Sequence, residues 1–383
     1  MDNRVIVVGN NHHNTLGVLR SLGERGIKPE LIITDDTLKF VTTSKYVGSI
    51  YTIHKAEEVV LILQSLKQSG AMPIVICCDD KSIAEIDKHY DELSKYFHLP
   101  NAGQQGRINF LMSKLEQQKL ANKAGLLSPR TWRVYGNTTL PTDVVYPCIV
   151  KTDSSIDGGK IDIKVCYNRD ELQSNTSRSV EYIIQEYIEK EYELNVVACS
   201  LNNGKDIVVP GVIHKIREYP AKGGSSSFSV LKNCNEYPHL PLDGIKRMLE
   251  LTQYEGLFSI EFVCKGGLCY FLEVNFRNDG NGYVPTSAGC NLHYIWCCHK
   301  SGVAVEDFSV HTPHYFMADV RDILHVIKDK QLKVGEWLND FRRTDCFLLY
   351  NRRDSKPFRV YMRSYLGSVF HSLCKKIRIC RRV

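Results

Sequence analysis

The stretch FLEVNFRNDGNG at residues 271–282 decides how the fold is interpreted. In an extended chain successive side chains point to opposite faces, so Glu273, Asn275 and Arg277 lie on one face. The opposite face is apolar and is formed by Leu272, Val274 and Phe276. This pattern predicts a strand with one face on a hydrophobic core and the other turned toward a charged ligand.

The preceding residues predict that this strand is half of a β-hairpin, GLFSIEFVCKGGLCYFLEVNF, which turns at Gly266–Gly267. A bulged loop of about three residues places Glu261 opposite Glu273 on the same face. Adjacent carboxylates repel each other, and one takes up a proton unless a cation lies between them. Oxygen ligands of this kind, with Asn275, suit Mg²⁺, which shares its coordination shell with phosphates. Arg277 would then meet the anion, whereas the alternative is a solvated face with an ion pair between Arg277 and a glutamate.

The length of 383 residues is enough for about two or three domains. A hydrophobic content of 43% and a charged content of 24% are typical of a soluble globular protein, and no apolar run approaches the ~18 residues of a membrane span. The first residues, MDNRVIVVGN, predict a buried strand rather than a signal peptide. The 14 cysteines are scattered through apolar runs such as PIVICC without CxxC spacing, so we expect a reducing, cytoplasmic compartment.

The net charge of +6 is concentrated near the C-terminus. Eight basic residues and no acidic ones follow position 355, so the first 355 residues carry 6 − 8 = −2. They are Lys356, Arg359, Arg363, Lys375, Lys376, Arg378, Arg381 and Arg382. This basic tail could lie on the anionic inner face of a membrane or be an ordinary solvated terminus. It lacks a compact aromatic-and-basic module, so nucleic acid is not expected as a partner.

Strands and helices alternate from the start of the chain, as in RVIVVGNNHHNTLGVLRSLG. This alternation predicts a Rossmann-like unit with a parallel sheet over residues 1–104. The loop GNNHHN has one glycine rather than GxGxxG, which makes a nicotinamide-dependent oxidoreductase the weaker interpretation.

Several single residues add to the pattern although each alone is ordinary. Lys151 ends the strand-like run YPCIVK and precedes SSIDGGK, a glycine-containing loop that is not a Walker A motif. Lys114 lies near a helix start, QEYI occupies residues 185–188, and Glu193 follows in EYELNVV.

Taken in this order, these elements resemble the ATP-grasp superfamily over roughly residues 1 to 310. The sequence NDGNGY after Arg277 and the C-terminal pattern are most similar to D-aspartate ligase and carbamoyl-phosphate-synthase-like proteins of surface-polysaccharide pathways. The resemblance implies a mixed α/β fold: the Rossmann-like unit and a two-lobed ATP-grasp fold. The lobes would be residues 105–190, with a flap at 153–160, and 191–315, with the metal site. Residues 316–383 would form a C-terminal extension.

The resemblance also implies roles for individual residues. The nucleotide contacts would be Lys114, Lys151, Gln185, Glu186, Ile188 and Glu193. The two lysines would neutralise phosphates, residues 185–188 would hold adenine and Glu193 the ribose. One or two Mg²⁺ ions, or Mn²⁺, would bind to Glu261, Glu273 and Asn275. Arg277 would stabilise charge on the transferring phosphoryl group or the acyl phosphate. Lys215 and Arg217 lie where relatives place a substrate-facing cation, and the alternative is that both are exposed charges on a strand.

The function implied is an ATP- and Mg²⁺-dependent, ADP-forming carboxylate–amine ligase that works through an acyl phosphate. Its partners would be a small carboxylate and an amine, for example in cell-envelope biosynthesis, and a homo-oligomer is compatible with the sequence. The alternative is a non-catalytic nucleotide-binding scaffold or regulatory protein, which would have no need for both Glu261 and Glu273.

Overall fold

The computed structural model describes residues 3–34, 39–152, 163–220, 223–305, 307–327 and 332–366. The predicted flap at 153–160 and the end of the basic tail, residues 367–383, lie outside the described residues. Within the described ranges, no helix has both the length and the apolar character needed to cross a membrane.

The chain begins with a parallel sheet covered by helices. Its strands are β1 (Val5–Gly9), β2 (Glu30–Thr34), β3 (Ile50–Ile53) and β4 (Ile74–Cys77). The helices of this part are α1 (His13–Gly23), α2 (Glu58–Ser65), α3 (Asp80–Lys88) and α4 (Tyr90–Leu93). The strand order is β3-β2-β1-β4 and every pairing is parallel. All five residues of β1 are buried, because helices cover both faces of such a sheet. The predicted Rossmann-like arrangement is confirmed.

A small antiparallel sheet follows two connecting helices, α5 (Arg107–Leu111) and α6 (Lys114–Lys123). Its elements are β5 (Thr131–Tyr135), β6 (Cys148–Thr152), β7 (Lys164–Cys166), α7 (Arg169–Asn175) and β8 (Glu181–Glu186). The strand order is β5-β8-β6-β7. It has a core of its own, which includes Val134, Cys148 and Ile184.

The third sheet has eight strands and is antiparallel except at one edge. Its strands are β9 (Tyr192–Leu201), β10 (Asp206–Val208), β11 (Val212–Tyr219), β12 (Ser225–Lys232), β13 (Gly256–Lys265), β14 (Leu268–Asn275), β15 (His314–Met317) and β16 (Cys346–Phe347). The helices are α8 (Leu242–Thr252), α9 (Tyr283–Ser287), α10 (Leu292–Ser301), α11 (Asp319–Asp322), α12 (Leu324–Ile327) and α13 (Val334–Arg342). The main path is β14-β13-β9-β11-β12-β15-β16, and residues 356–366 are helical. The predicted mixed α/β fold class is confirmed.

The large sheet and the parallel sheet share hydrophobic cores. On one face, Val196 and Ile260 belong to the same buried cluster as Ile6 of β1. On the other face, Val197 and Leu257 pack in a second cluster that includes α1 and α10. That second face is apolar at Val197 and becomes polar toward the start of β9. The polar end of this face is therefore the part of the sheet left for a site.

The hairpin of β13 and β14 has the predicted pairing but reaches it by a different route. The turn has the two glycines Gly266 and Gly267 alone, at φ +59° and +74°, as a tight primed turn requires. The predicted loop of about three residues was therefore wrong. A register shift next to Glu261, where β14 carries the extra residue Leu272, restores the alignment. Glu261 pairs with Glu273 as predicted.

Candidate active site

A cavity of about 380 Å³ lies where the polar end of the large sheet meets the carboxyl ends of the parallel strands. The sequence-predicted residues that line it come from four adjacent strands and the segment after them. They are Glu193, Lys215, Glu261, Glu273, Asn275 and Arg277. The predicted catalytic and metal-binding residues are thus brought together in one place.

The centre of the cavity wall is a row of oxygen ligands across three strands. Glu261 of β13 lies between Glu273 of β14 and Asn195 of β9, each paired with it in the sheet register. Asn195 Oδ1 is buried and has no hydrogen-bond partner among the described residues. The described residues contain no group of three His, Cys, Asp or Glu side chains placed to hold a metal ion. The donors are therefore two carboxylates supplemented by amide oxygens, a set that fits Mg²⁺ with room for phosphate oxygens.

Lys215 lies beside this row in a network of alternating charges. Its ammonium pairs with Glu193 and, at 3.5 Å, with Glu218. Lys190 contacts the same two carboxylates at 2.5 and 2.9 Å. Burial disfavours the charged ammonium, but Glu193 and Glu261 outweigh it and raise the pKa of Lys215. Lys215 is therefore a fixed cation at the edge of the cavity.

Arg277 is oriented by a residue far away in the sequence. Its guanidinium forms a two-pronged contact with Asp80 of α3, with Nε–Oδ1 at 2.7 Å and Nη2–Oδ2 at 3.1 Å. Nη2 also donates to Asn275 Oδ1 at 3.3 Å. Burial opposes the charge, but the Asp80 carboxylate outweighs it and raises the pKa of Arg277. The predicted cation is thus present, held between β14 and the parallel sheet.

The residues after Arg277 tie the large sheet to the parallel sheet. Asn278 donates to Asn14 Oδ1 of α1, accepts from His293 Nε2 at 2.7 Å, and its backbone N–H donates to Cys77 O at 3.1 Å. Asp279 accepts from Ser259 Oγ at 3.0 Å. This segment therefore fixes where the two sheets meet.

Residues at the carboxyl ends of the parallel strands form the opposite wall, and sequence reasoning missed them. Asn10, His12 and His13 follow β1, and Asp79 and Asp80 follow β4. The signal was in the sequence, because ligands of open parallel sheets bind at the carboxyl ends of the strands. Asn195 and Arg321, which also line the cavity, carried no such signal.

Five predicted nucleotide contacts do not line this cavity: Lys114, Lys151, Gln185, Glu186 and Ile188. On the small sheet, Lys151 Nζ donates to Gln185 Oε1 at 2.9 Å. The Glu186 backbone N–H donates to Arg130 O at 2.8 Å, as part of the strand contacts. Their roles stay predictions.

Lys114 begins α6, which covers the edge of the large sheet. One helical turn later, Gln117 exchanges hydrogen bonds of 2.8 and 3.1 Å with the backbone of Val274 in β14. Lys114 is thus on the helix that packs against β14, although it lies outside the cavity wall.

Arg217, unlike Lys215, is not a cavity residue. It binds Asp322 through Nε at 3.1 Å and Nη2 at 2.7 Å, and it also pairs with Asp340. These contacts join β11 to α11 and α13. Lys215 therefore faces the cavity and Arg217 does not, and contact of Lys215 with a substrate stays a prediction.

Sequence comparisons give distant relatives. No family model matches the chain. A D-alanine–D-alanine ligase A of Bacillus cereus is 24% identical over 135 residues, which cover 34% of this chain and 44% of the relative. A carbamoyl phosphate synthase large chain of Archaeoglobus fulgidus is 24% identical over 65% of this chain and 23% of its own length. The chain spans less than half the length of these curated relatives.

Comparisons with solved structures cover more of the chain. An N5-carboxyaminoimidazole synthetase from Staphylococcus aureus has a TM-score of 0.65 at 14% identity, over 86% of this chain and 89% of that one. An L-amino acid ligase from Bacillus licheniformis has a TM-score of 0.60 at 14% identity, over 78% and 74%. A biotin carboxylase from Campylobacter jejuni has a TM-score of 0.62 at 15% identity, over 82% and 74%. Together the comparisons support the ATP-grasp superfamily and give its fold.

Proposed function

We propose that the protein is an ATP- and Mg²⁺-dependent carboxylate–amine ligase that forms ADP. The observation that carries the proposal is the pair Glu261 and Glu273, paired across two strands in a cavity that also contains Arg277 and Lys215. Two facing carboxylates flanked by two fixed cations form a site for a metal-bound polyphosphate. A site for an uncharged ligand has no use for this arrangement.

The proposed reaction has two steps. An oxygen of the substrate carboxylate attacks the γ-phosphorus of ATP, and ADP leaves with the electrons of the broken P–O bond. The acyl phosphate is then attacked at its carbonyl carbon by a neutral amine. Inorganic phosphate leaves, one proton is released from the nitrogen, and an amide bond has formed. Positioning and charge neutralisation supply most of the catalysis in phosphoryl transfer.

The residues divide this work by position. When bound at Glu261, Glu273 and Asn275, Mg²⁺ would neutralise charge on the phosphate oxygens. Arg277, held by Asp80 at the end of the strand, stabilises negative charge on the transferring phosphoryl group. Lys215 is another cation of the cavity, and its partner Glu193 is the proposed ribose ligand.

The remaining nucleotide contacts are proposed on the small sheet and α6. Lys114 and Lys151 bind phosphates, Gln185 lies near the adenine, and the backbone at Glu186 and Ile188 binds it. The hydrogen bond from Lys151 to Gln185 supports this set, because it joins a phosphate-binding cation to the adenine-binding strand.

A role in attaching an amino acid during surface-polysaccharide or envelope synthesis is the finer proposal. It is supported by the sequence NDGNGY after Arg277, and by the names of two similar proteins, a D-alanine–D-alanine ligase and an L-amino acid ligase. Location in the cytoplasm, with the basic tail near the membrane, and assembly as a homo-oligomer belong to the same proposal.

The experiment is an ADP-release assay of the full chain with MgATP and pools of amino acids and uronic acids. We expect Glu273→Gln to lower ADP release on the order of 10²–10³-fold, because it removes charge from the metal site. Glu250→Gln, on the exposed side of α8, is the matched control and should leave ADP release unchanged. Release of AMP and pyrophosphate by the wild type would exclude the acyl-phosphate mechanism.

The alternative is a non-catalytic nucleotide-binding scaffold. Such a protein would bind MgATP without releasing ADP from any pool, and Glu273→Gln would leave its partner binding intact. Measuring MgATP binding beside ADP release therefore separates the two functions.

A further inference from the structure

Arg321 of α11 differs from the other arginines near the site. Its side chain lines both the main cavity and a second cavity of about 170 Å³. Arg277 and Arg217 are each held by an aspartate, whereas the Arg321 guanidinium forms no hydrogen bond or ion pair with any residue in the described ranges. A guanidinium set into a cavity wall with no acidic partner favours an anionic ligand.

Two histidines next to Arg321 complete an anion-binding group. His12 and His13 line both cavities, and their ring centroids are 3.8 Å apart. Burial, together with the charge of Arg321, lowers the pKa of His12 to about 4, and burial, His12 and Arg321 lower that of His13. His12 Nδ1 accepts from the Asn14 backbone N–H at 3.2 Å, so the neutral ring carries its proton on Nε2. A neutral imidazole can therefore donate to an anion beside the guanidinium.

The second cavity is apolar behind this charged group. We call it the apolar chamber; its apolar lining is Phe40, Ala318, Val320, Leu348, Leu349 and Tyr361. The polar Asn11 also lines it, and its Oδ1 accepts from the Val41 N–H at 3.4 Å. Asp319 is also in its wall, but its carboxylate accepts backbone N–H groups of Leu349 at 3.1 Å and Tyr350 at 2.6 Å. A cavity of ~150 Å³ with apolar walls holds benzene in another protein, so the chamber has room for an aromatic or branched side chain.

The order of these groups orients a ligand. Arg321 lies between the apolar chamber and the main cavity that contains Glu261 and Glu273. Consider a molecule whose carboxylate lies on Arg321 and whose side chain lies in the apolar chamber. A third substituent on the carbon that joins them then faces the main cavity. An α-amino acid has an amine at that position.

We propose that Arg321 and the His12–His13 pair bind the carboxylate of an α-amino acid whose apolar or aromatic side chain fills the apolar chamber. The amine then points toward the acyl phosphate. This inference rests on the proposed ligase function and names the class of its amine substrate. The carboxylate on Arg321 is not the reacting one, because the reacting carboxylate lies between the metal site and Arg277.

The test measures binding to the full chain by calorimetry, without ATP. The probes are phenylalanine of either hand, 3-phenylpropanoate, which lacks the amine, and phenethylamine, which lacks the carboxylate. We expect phenylalanine and 3-phenylpropanoate to bind, and phenethylamine to bind at least tenfold more weakly. Arg321→Gln should weaken phenylalanine binding at least tenfold and Arg321→Lys less, whereas Arg342→Gln, on the exposed surface of α13, should have no effect. Melting curves check that each variant is folded.

Equal binding of phenethylamine and phenylalanine, or unchanged binding by folded Arg321→Gln, would overturn the inference. If acetate bound as tightly as 3-phenylpropanoate, the apolar chamber would contribute nothing to binding, and its part in the inference would be overturned. Failure of the ligase proposal looks different: Glu273→Gln would still bind phenylalanine, while the wild type would release no ADP with any acid. Conversely, ADP release with other amines but no phenylalanine binding would overturn this inference alone.

Discussion

Two Arg–Asp pairs connect the parallel sheet to distant parts of the chain, and they differ in burial. Arg20 of α1 contacts Asp354 with both side chains essentially inaccessible, at 0% and 1% exposure. Arg277 contacts Asp80 with 16% and 35% exposure, and it lines the main cavity. The chemistry of the two pairs is the same, whereas their access to a ligand is not.

The partners of the two guanidinium groups explain the difference. Arg20 donates to Asp354 and also to the carbonyls of Leu348 and Leu349, at 3.2 and 2.8 Å, so its donors serve the protein alone. Arg277 has a carboxylate partner and an open side toward the cavity. Burial therefore distinguishes an arginine that contacts only the protein from one that a ligand can reach, whereas the presence of an ion pair does not.

The largest expected effect is on stability at the buried pair. Replacing Arg20 with Met leaves the Asp354 carboxylate buried with hydrogen bonds only from Ser44 Oγ and the Lys45 N–H. We expect the free energy of unfolding to fall by about 3–5 kcal/mol. Urea denaturation measures it. Lys119→Met, which breaks an exposed pair with Glu116, is the control and should change it by less than about 1 kcal/mol. If Arg20→Met also changed the free energy of unfolding by less than about 1 kcal/mol, burial would not distinguish the Arg20–Asp354 pair from an exposed one.

The next effect is on catalysis at the half-buried pair of Arg277 and Asp80. Arg277→Met should lower ADP release by about 10²–10³-fold, or roughly 2.7–4 kcal/mol, because the cation that meets the transferring phosphoryl group is lost. Stability should change by less than at Arg20, because the Asp80 carboxylate left behind reaches solvent. Steady-state rates and urea denaturation of the same sample test both statements. A variant that unfolds easily but retains its rate would show that Arg277 is structural.

The sequence predicted the carboxylates in the centre of the cavity wall because that part depends on local pattern. Alternation placed Glu273 and Asn275 on one face, and the hairpin brought Glu261 opposite. The pairing was correct although the loop was wrong, because the bulge at Leu272 made up for the shorter turn. The turn is one residue shorter than predicted, and β14 contains one extra residue beside Glu261. The two differences cancel, so Glu273 keeps its predicted partner and its predicted face.

The long-range contacts that position the arginines could not be predicted in this way. Arg277 and Asp80 are 197 positions apart, and Arg20 and Asp354 are 334 apart. Such pairs depend on how the sheets pack, which no local period encodes. Arg321 is an ordinary basic residue in VRDILHVIKD until β15 and α11 bring it to the cavity.

A third contact, between α10, the segment after Arg277 and α1, is uncharged. Its dependence on pH can be compared with the two charged pairs. His293 of α10 is buried and donates to Asn278, which is bonded to Asn14 of α1. Burial lowers the pKa of His293 to about 3, well below that of the unfolded chain near 6.5. As pH falls below 6.5 the unfolded chain binds a proton that the folded protein does not, so stability is lost on acidification through that window.

His293→Gln should retain the hydrogen bond to Asn278 and remove the titrating group. Between pH 6.5 and 5 the wild type should then lose about 1.7 kcal/mol more unfolding free energy than the variant, because the slope rises from about 0.7 to about 1.4 kcal/mol per pH unit over this range. Denaturation curves at both pH values measure the difference. His12 and His13 also make the protein less stable as the pH falls. Both are present in the wild type and in the variant, so their contribution cancels from the difference. If the unfolding free energies of the two proteins changed in parallel with pH, the contact through Asn278 would not require a neutral imidazole. The contrast with the two charged pairs would then no longer hold.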